Sequence, residues 1–195
     1  ALGDRTLIED VRLLPSASVL IFSQGQLSLR SYWQLEFADV CQVRSREEYV
    51  EGVVHHLRQA VRRQARDDLP PGVSLSGGLD SRTIVGFLCE QGAGKGVHTF
   101  SYGIPGCDDA RLAAEVSALV GATHHFYELK PDYLRDIAPE GVWLTDGMKS
   151  CRHMHPLATL RAQAEHVRVM YIGFLGDALM GGHLGRELWA DYEEG

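Results

Sequence analysis

Gly72-Val73-Ser74-Leu75-Ser76-Gly77-Gly78-Leu79-Asp80-Ser81 is the stretch on which the reading of this chain turns. Its apolar start, Gly72 to Leu75, has the length and composition of a buried strand. Thr83-Ile84-Val85-Gly86-Phe87-Leu88 follows with helical periodicity. The segment therefore predicts a strand, a glycine-bearing turn and a helix start. Such a turn presents backbone N–H groups and a positive helix end to an anion. Ser76 and Ser81 add hydroxyl donors, and Asp80 adds a carboxylate beside them. That carboxylate would repel a bare phosphate. It would accept a phosphate carrying Mg²⁺, because the metal bridges the two negative groups. The turn thus reads as a cradle for the pyrophosphate end of a nucleotide. The plainer alternative is a Gly-Gly turn capped by an aspartate. The joint presence of hydroxyls, carboxylate and strand–turn–helix context favours the cradle. The Gly-Lys-Ser/Thr ending of a Walker A loop is absent, and so is G-x-G-x-x-G. Without a Walker lysine, γ-phosphoryl transfer is not the expected chemistry.

Outward from the turn, the pattern alternates. Strand 97–102 leads to helix 108–120, strand 124–129 to helical stretches between Pro131 and Glu165, and strand 167–172 to a second glycine-rich turn. A helix, 46–68, precedes the first strand, with Tyr49, Val53, Leu57, Ala60 and Val61 at helical spacing. Strands alternating with helices imply an α/β fold, a parallel sheet flanked by helices. Ligands of open sheets sit outside the carboxyl ends of the strands. Ser76–Ser81, Tyr102-Gly103 and Gly173–Gly182 all lie at such ends and are expected to converge. Before residue 46 the character changes. Ala17–Phe22 and Gln26–Trp33 around Gly25 read as a β-hairpin or connecting segment. The expected division is a junction segment with a hairpin over 1–45 and a main domain over 46–195.

Net charge is −7, from 19 basic and 26 acidic residues, which argues against a nucleic-acid partner. Arg58 to Arg66 reads as a solvated helix face. The chain is 45% hydrophobic, as a globular domain is, and its most apolar run, Ser18 to Phe22, is too short to span a bilayer. Cys41, Cys89, Cys107 and Cys151 lack metal or disulfide spacing, so reduced thiols and a cytoplasmic location are expected.

Ser76–Ser81 resembles the signature of the N-type ATP pyrophosphatases, which cleave ATP to AMP and pyrophosphate. Further stretches narrow the resemblance to the asparagine synthetase family. They are His98-Thr99-Phe100-Ser101-Tyr102-Gly103, Asp108-Asp109-Ala110, Ala113-Ala114-Glu115-Val116, Thr123-His124-His125 and Gly173-Phe174-Leu175-Gly176-Asp177-Ala178-Leu179-Met180-Gly181-Gly182-His183. The opening, Leu2 to Leu7 and Arg12 to Pro15 through Tyr32-Trp33, is similar to that family's junction between glutaminase and synthetase domains. The resemblance implies the fold of the adenine nucleotide alpha hydrolases. By position it makes Leu75, Tyr102, Ile172 and Gly173 the lining of adenine and ribose. Ser76, Gly77, Gly78, Leu79, Asp80 and Ser81 become the pyrophosphate loop. Asp80 and Asp177 become the catalytic, metal-associated carboxylates. Two carboxylates at adjacent strand ends can share a triphosphate-bound metal. The implied chemistry uses ATP and Mg²⁺ to adenylate a carboxylate such as aspartate, after which ammonia displaces AMP. The implied partners are a small carboxylate, ammonia and a glutaminase domain, with no nucleic acid or membrane. The chain is accordingly expected to be a piece of a longer amidotransferase.

The sequence departs from the family at Phe174 and Ala178, where acidic residues are usual, and at Arg82, where a small residue is common. The lost acids belong to the acceptor end of the site. They keep two alternatives open: a relative that joins a carboxylate to an internal amine, of β-lactam or peptide cyclase type, and a nucleotide-binding module without catalysis. For the other polar residues, structural roles are expected. His124 and His125 alternate across a strand, so at most one faces the pocket. Cys151, His153 and His155 lack the spacing of a closed zinc site. Lys149 reads as a solvated charge, and Arg111 with Glu115 as an i, i+4 surface pair.

Overall fold

The computed structural model describes residues 3–34, 36, 44–65, 68–93, 96–174 and 176. In chain order these form β1 (Ser18–Ser23), β2 (Gln26–Ser31), α1 (Arg46–Gln64), β3 (Pro71–Ser74) and α2 (Leu79–Leu88). They continue with β4 (His98–Gly103), α3 (Asp108–Val120), β5 (Thr123–Glu128), α4 (Tyr133–Leu144), α5 (Leu157–Gln163) and β6 (Val169–Tyr171). The expected α/β architecture is present. β3 to β6 make one parallel sheet in the order β5-β4-β3-β6, with helices between successive strands. From β3 the chain steps outward through β4 to β5, then returns to the other flank of β3 as β6. The order therefore reverses between β3 and β6, and in an open sheet that reversal opens a crevice at the carboxyl ends.

Side-chain alternation assigns the two faces. Val73 pairs with Thr99 and with Tyr171, so these three share one face. Val73, Leu75 and Tyr171 join Val61 of α1, Val85 and Leu88 of α2, and Ala113 of α3 in the main core. Each fully buried apolar side chain there contributes about 1.5–3 kcal/mol. On the same face Thr99 and Ser117 are buried, and their hydroxyls bond each other at 2.7 Å. His124 joins them through Nδ1, 3.0 Å from Thr99, while its Nε2 lies 3.3 Å from Ser101. Its role is structural, as its place on the strand suggests.

Gly72, Phe100 and Met170 occupy the other face. A methyl at Gly72 would lie 2.5 Å from Met170 Sδ, 2.7 Å from Val167 and 3.1 Å from Phe100. The middle strand is thus bare at this point, and its neighbours close over it. Further along this face, Tyr127 lines a cleft of about 390 Å³ with Tyr133 and Ile137 of α4 and Ala158 of α5.

The ends of the elements follow local chemistry. Ser45 and Glu48 form a reciprocal capping box at the start of α1, with bonds of 3.1 and 2.7 Å. The helix ends at Gln64 rather than continuing to 68, because Ala65 is already extended. β3 begins at Pro71, one residue earlier than its apolar pattern suggests. A proline is tolerated at the first position of a strand, where the missing N–H costs least. β1 and β2 form a separate antiparallel pair around Gln24-Gly25, both at positive φ as a two-residue hairpin turn requires. Its apolar residues are largely exposed, including Phe22 and Leu27. Cys89, Cys107 and Cys151 are free thiols. Cys41 lies outside the described residues.

Candidate functional site

The Ser76–Ser81 turn sits at the carboxyl end of β3, and Gly78 is the N-cap of α2. The turn is held by its own serines. The Ser76 N–H donates to Ser81 Oγ at 3.1 Å, and the Gly78 N–H donates to Ser76 Oγ at 3.2 Å. The Ser81 hydroxyl reaches the Gly78 carbonyl at 3.3 Å and Ser76 Oγ at 3.2 Å. Ser81 is buried, so its hydroxyl serves the turn, whereas Ser76 is exposed. The N-cap residue, Gly78, has no side chain with which to cap the first turn of α2. The N–H groups of that turn, with the positive end of the helix dipole, are the anion-seeking feature. Arg82 folds back so that its Nε donates to the Gly78 carbonyl at 3.2 Å. It therefore braces the turn from the helix side.

The second glycine turn meets the first. A methyl at Gly173 would lie 2.8 Å from Asp80 Cβ and 3.0 Å from the Ser81 amide. One at Gly176 would lie 2.6 Å from both Asp80 Cγ and Oδ2. Only residues without a side chain let the β6 backbone come this close to the carboxylate. The convergence of these two strand ends is thus a matter of direct contact, at the reversal point between β3 and β6. Asp177 and Ala178, expected in this turn, lie outside the described residues.

Asp109, in the first turn of α3, was not foreseen as a site residue. Its Oδ1 accepts the Gly77 N–H at 2.8 Å. Gly77 allows the approach, since a methyl there would lie 2.8 Å from Leu112 and 2.9 Å from Asp109 Oδ1. A carboxylate thus bonds one amide of the phosphate-type turn. The resembling stretch Asp108-Asp109-Ala110 was the signal, but nothing in its spacing shows which turn it would reach.

The remaining predicted residues divide. Tyr102, the penultimate residue of β4, is half-buried. Burial foremost, then Tyr133 and Asp109, raises its hydroxyl above the usual tyrosine range, while a hydrogen bond with Ser74 opposes them. Its ring meets that of His155 with centroids 5.4 Å apart. His155 thus stands near the strand ends, which its sequence context did not indicate. Ile172 and Leu79 are exposed at the mouth of the crevice. Leu75 is only 2% exposed and belongs to the core, so a ligand can meet it through its backbone alone. Phe174 projects into solvent at 73% exposure. Lys149 is exposed, and Arg111 bonds Glu115 at 2.9 Å and Asp108 at 3.1 Å. No helix among the described residues is long and apolar enough to cross a membrane.

Comparison with known proteins gives the following. A family model described as asparagine synthase matches residues 52–193. The glutamine-hydrolysing asparagine synthetase 1 of Bacillus subtilis is 27% identical, covering 87% of this chain and 27% of its own. Amidase chyE of Penicillium rubens is 26% identical, covering 92% of this chain and 30% of its own. The chain therefore spans less than a third of the length of these curated relatives. Among solved structures, the NMN synthetase of Francisella tularensis aligns with a TM-score of 0.42 at 16% identity, over 66% of this chain and 54% of that one.

Proposed function

Since the chain belongs to the asparagine synthase family, we propose that it is the ATP-binding part of an amide-forming ligase that releases AMP and pyrophosphate. The observation that carries this reading is the packing of Gly173 and Gly176 against Asp80, beside a helix start whose N-cap is a glycine. It sets a carboxylate and a row of N–H donors around one space at the reversal of strand order. A triphosphate suits that space because its oxygens meet amide donors on one side. Mg²⁺ fits as well: Asp80 offers hard oxygen at the only side-chain carboxylate the two glycine turns enclose among the described residues. Asp80, with Asp177, would hold the ion, which would neutralise charge on the departing pyrophosphate.

In this reading the turn of Ser76 to Ser81 fixes the β- and γ-phosphates, and Tyr102, Ile172, Gly173 and the backbone of Leu75 border the adenine and ribose. The substrate carboxylate attacks the α-phosphorus, the bond to the bridging oxygen breaks, and pyrophosphate leaves with that oxygen. Ammonia then attacks the acyl carbon and AMP departs. The protein's contribution is positioning and electrostatics rather than covalent chemistry. Ammonia would come from a glutaminase domain of the intact protein, in the cytoplasm. The test is product identity: the intact protein should form AMP and pyrophosphate, and formation of ADP and phosphate would refute the reading.

A second reading concerns the acceptor. Phe174 places an exposed aromatic ring where the family turn commonly has an acid. An apolar carboxylate, or one that carries its own amine, suits such a ring better than aspartate does. Screening carboxylate and amine pairs for pyrophosphate release separates the cases. Aspartate with ammonia as the sole productive pair excludes the second.

A further inference from the structure

Three imidazoles meet at the opposite end of the same sheet. His98 opens β4, His125 lies on β5 level with Phe100, and His166 lies in the connection from α5 to β6. His98 Nδ1 and His125 Nε2 are 2.9 Å apart. The rings stack, with centroids 5.2 Å apart for His98 and His125 and 4.1 Å for His125 and His166. One nitrogen from each residue lies within 4.8 Å of the others. We propose that His98, His125 and His166 form a binding site for a late first-row divalent ion such as Zn²⁺, distinct from the nucleotide site.

The chemistry of the donors supports this. Neutral imidazole is a preferred ligand of zinc, copper and nickel, and three of them leave a fourth position for water. Zinc–nitrogen bonds of about 2.05 Å put tetrahedral ligand atoms about 3.4 Å apart. The His98–His125 separation is 2.9 Å, and none of the three exceeds 4.8 Å. Two of the ligands stand on adjacent strands of a fixed sheet, so they are held near one another before any ion arrives. Burial, with the neighbouring histidines, keeps His98 and His125 below the usual histidine range and hence uncharged near neutrality. Phe100 supplies an apolar floor, its ring centroid 5.0 Å from that of His125. The rings lie nearly parallel, 9° apart for His98 and His125, and an ion must lie near each ring plane. Binding therefore requires the rings to turn. His166, exposed and on a connecting segment, has the room to do so. Binding would also exchange the His98–His125 hydrogen bond for two metal bonds, with His98 carrying its proton on Nε2. The result is a clip between β4, β5 and the entry to β6.

The test is titration of the metal-stripped chain with ZnCl₂ by calorimetry, with Co²⁺ absorption reporting coordination geometry. One ion per chain is expected, with a thermal midpoint that rises on loading. His166→Ala, at an exposed position, should weaken binding at least ~10-fold, the minimum cost of disturbing even a supporting partner of a zinc ligand. His98→Gln should do the same, and His153→Ala should leave binding unchanged. Absence of saturable binding overturns the proposal. So does binding that survives both His166→Ala and His98→Gln, or that is lost in His153→Ala.

Discussion

The two ends of the four-stranded sheet are built on different principles. At the carboxyl end the important atoms belong to the backbone: N–H groups at the start of α2 and glycines that admit one chain to another. Side chains there, those of Ser76, Ser81 and Asp109, brace the turn, and Asp80 is the one that both turns surround. At the amino end the backbone is ordinary strand, and side chains do everything, as three imidazoles stack over Phe100. The first end offers hard oxygen and amide donors, suited to phosphate with magnesium. The second offers nitrogen, suited to softer ions. One sheet can host both because its strands are parallel, so each end collects only one kind of terminus.

Substitutions can test this contrast. Asp80→Ala in the intact protein should reduce pyrophosphate release about 10²–10³-fold, in line with the loss of one preorganised electrostatic group. An unchanged rate would remove Asp80 from the chemistry. Gly176→Ala should lower the same rate about ten-fold through displacement of the Asp80 carboxylate, since misplacement by an ångström costs about 100-fold. Its thermal midpoint should stay near that of the wild type. A rate loss matched by unfolding would show that the contact serves packing instead.

At the other end the readout is stability against pH. Burial lowers His124, His125 and His98 below their usual value of 6.5. The unfolded chain then binds more protons than the folded one once pH falls below 6.5, so the stability these residues supply is present above that pH and lost on acidification. The thermal midpoint should drop by a few degrees between pH 7.5 and 5.5. His124→Gln should flatten that slope. If it does not, the His98–His125 pair is responsible, and His125→Gln will flatten it. The smallest effect is expected away from both ends. Arg58 and Glu90 pair at 2.8 Å in an exposed position, and Arg58→Ala should cost under about 1 kcal/mol in denaturant unfolding.

Much of this was legible in the sequence, and the reasons are local. Helix 108–120 is read to the residue, because Gly121 at positive φ closes it and acids open it. The hairpin is read from Gly25 between two alternating runs. The strand–turn–helix at Ser76 is read because its glycines and periodicity change together. What escaped was long-range. The bond from Asp109 to Gly77 joins a helix start to a turn, and the two meet only when β3 and β4 pair in register. The three histidines share no spacing motif, since they come from two strands and a connection brought together by strand order. Two adjacent histidines in the sequence, His124 and His125, turn to opposite faces and opposite duties.

Gly72 has a consequence for mutational scanning. It lies on the strand that leads into the nucleotide turn, four residues before Ser76, yet its side-chain space faces away from that turn: any side chain there would crowd Met170, Val167 and Phe100. A survey scoring only survival would therefore rank it beside Gly77 and Gly173, and intolerance at those three positions would look like one signal. Paired measurements of cellular abundance and turnover would split it: variants of Gly72 should vanish from the soluble pool, while variants of Gly173 should accumulate as inactive protein.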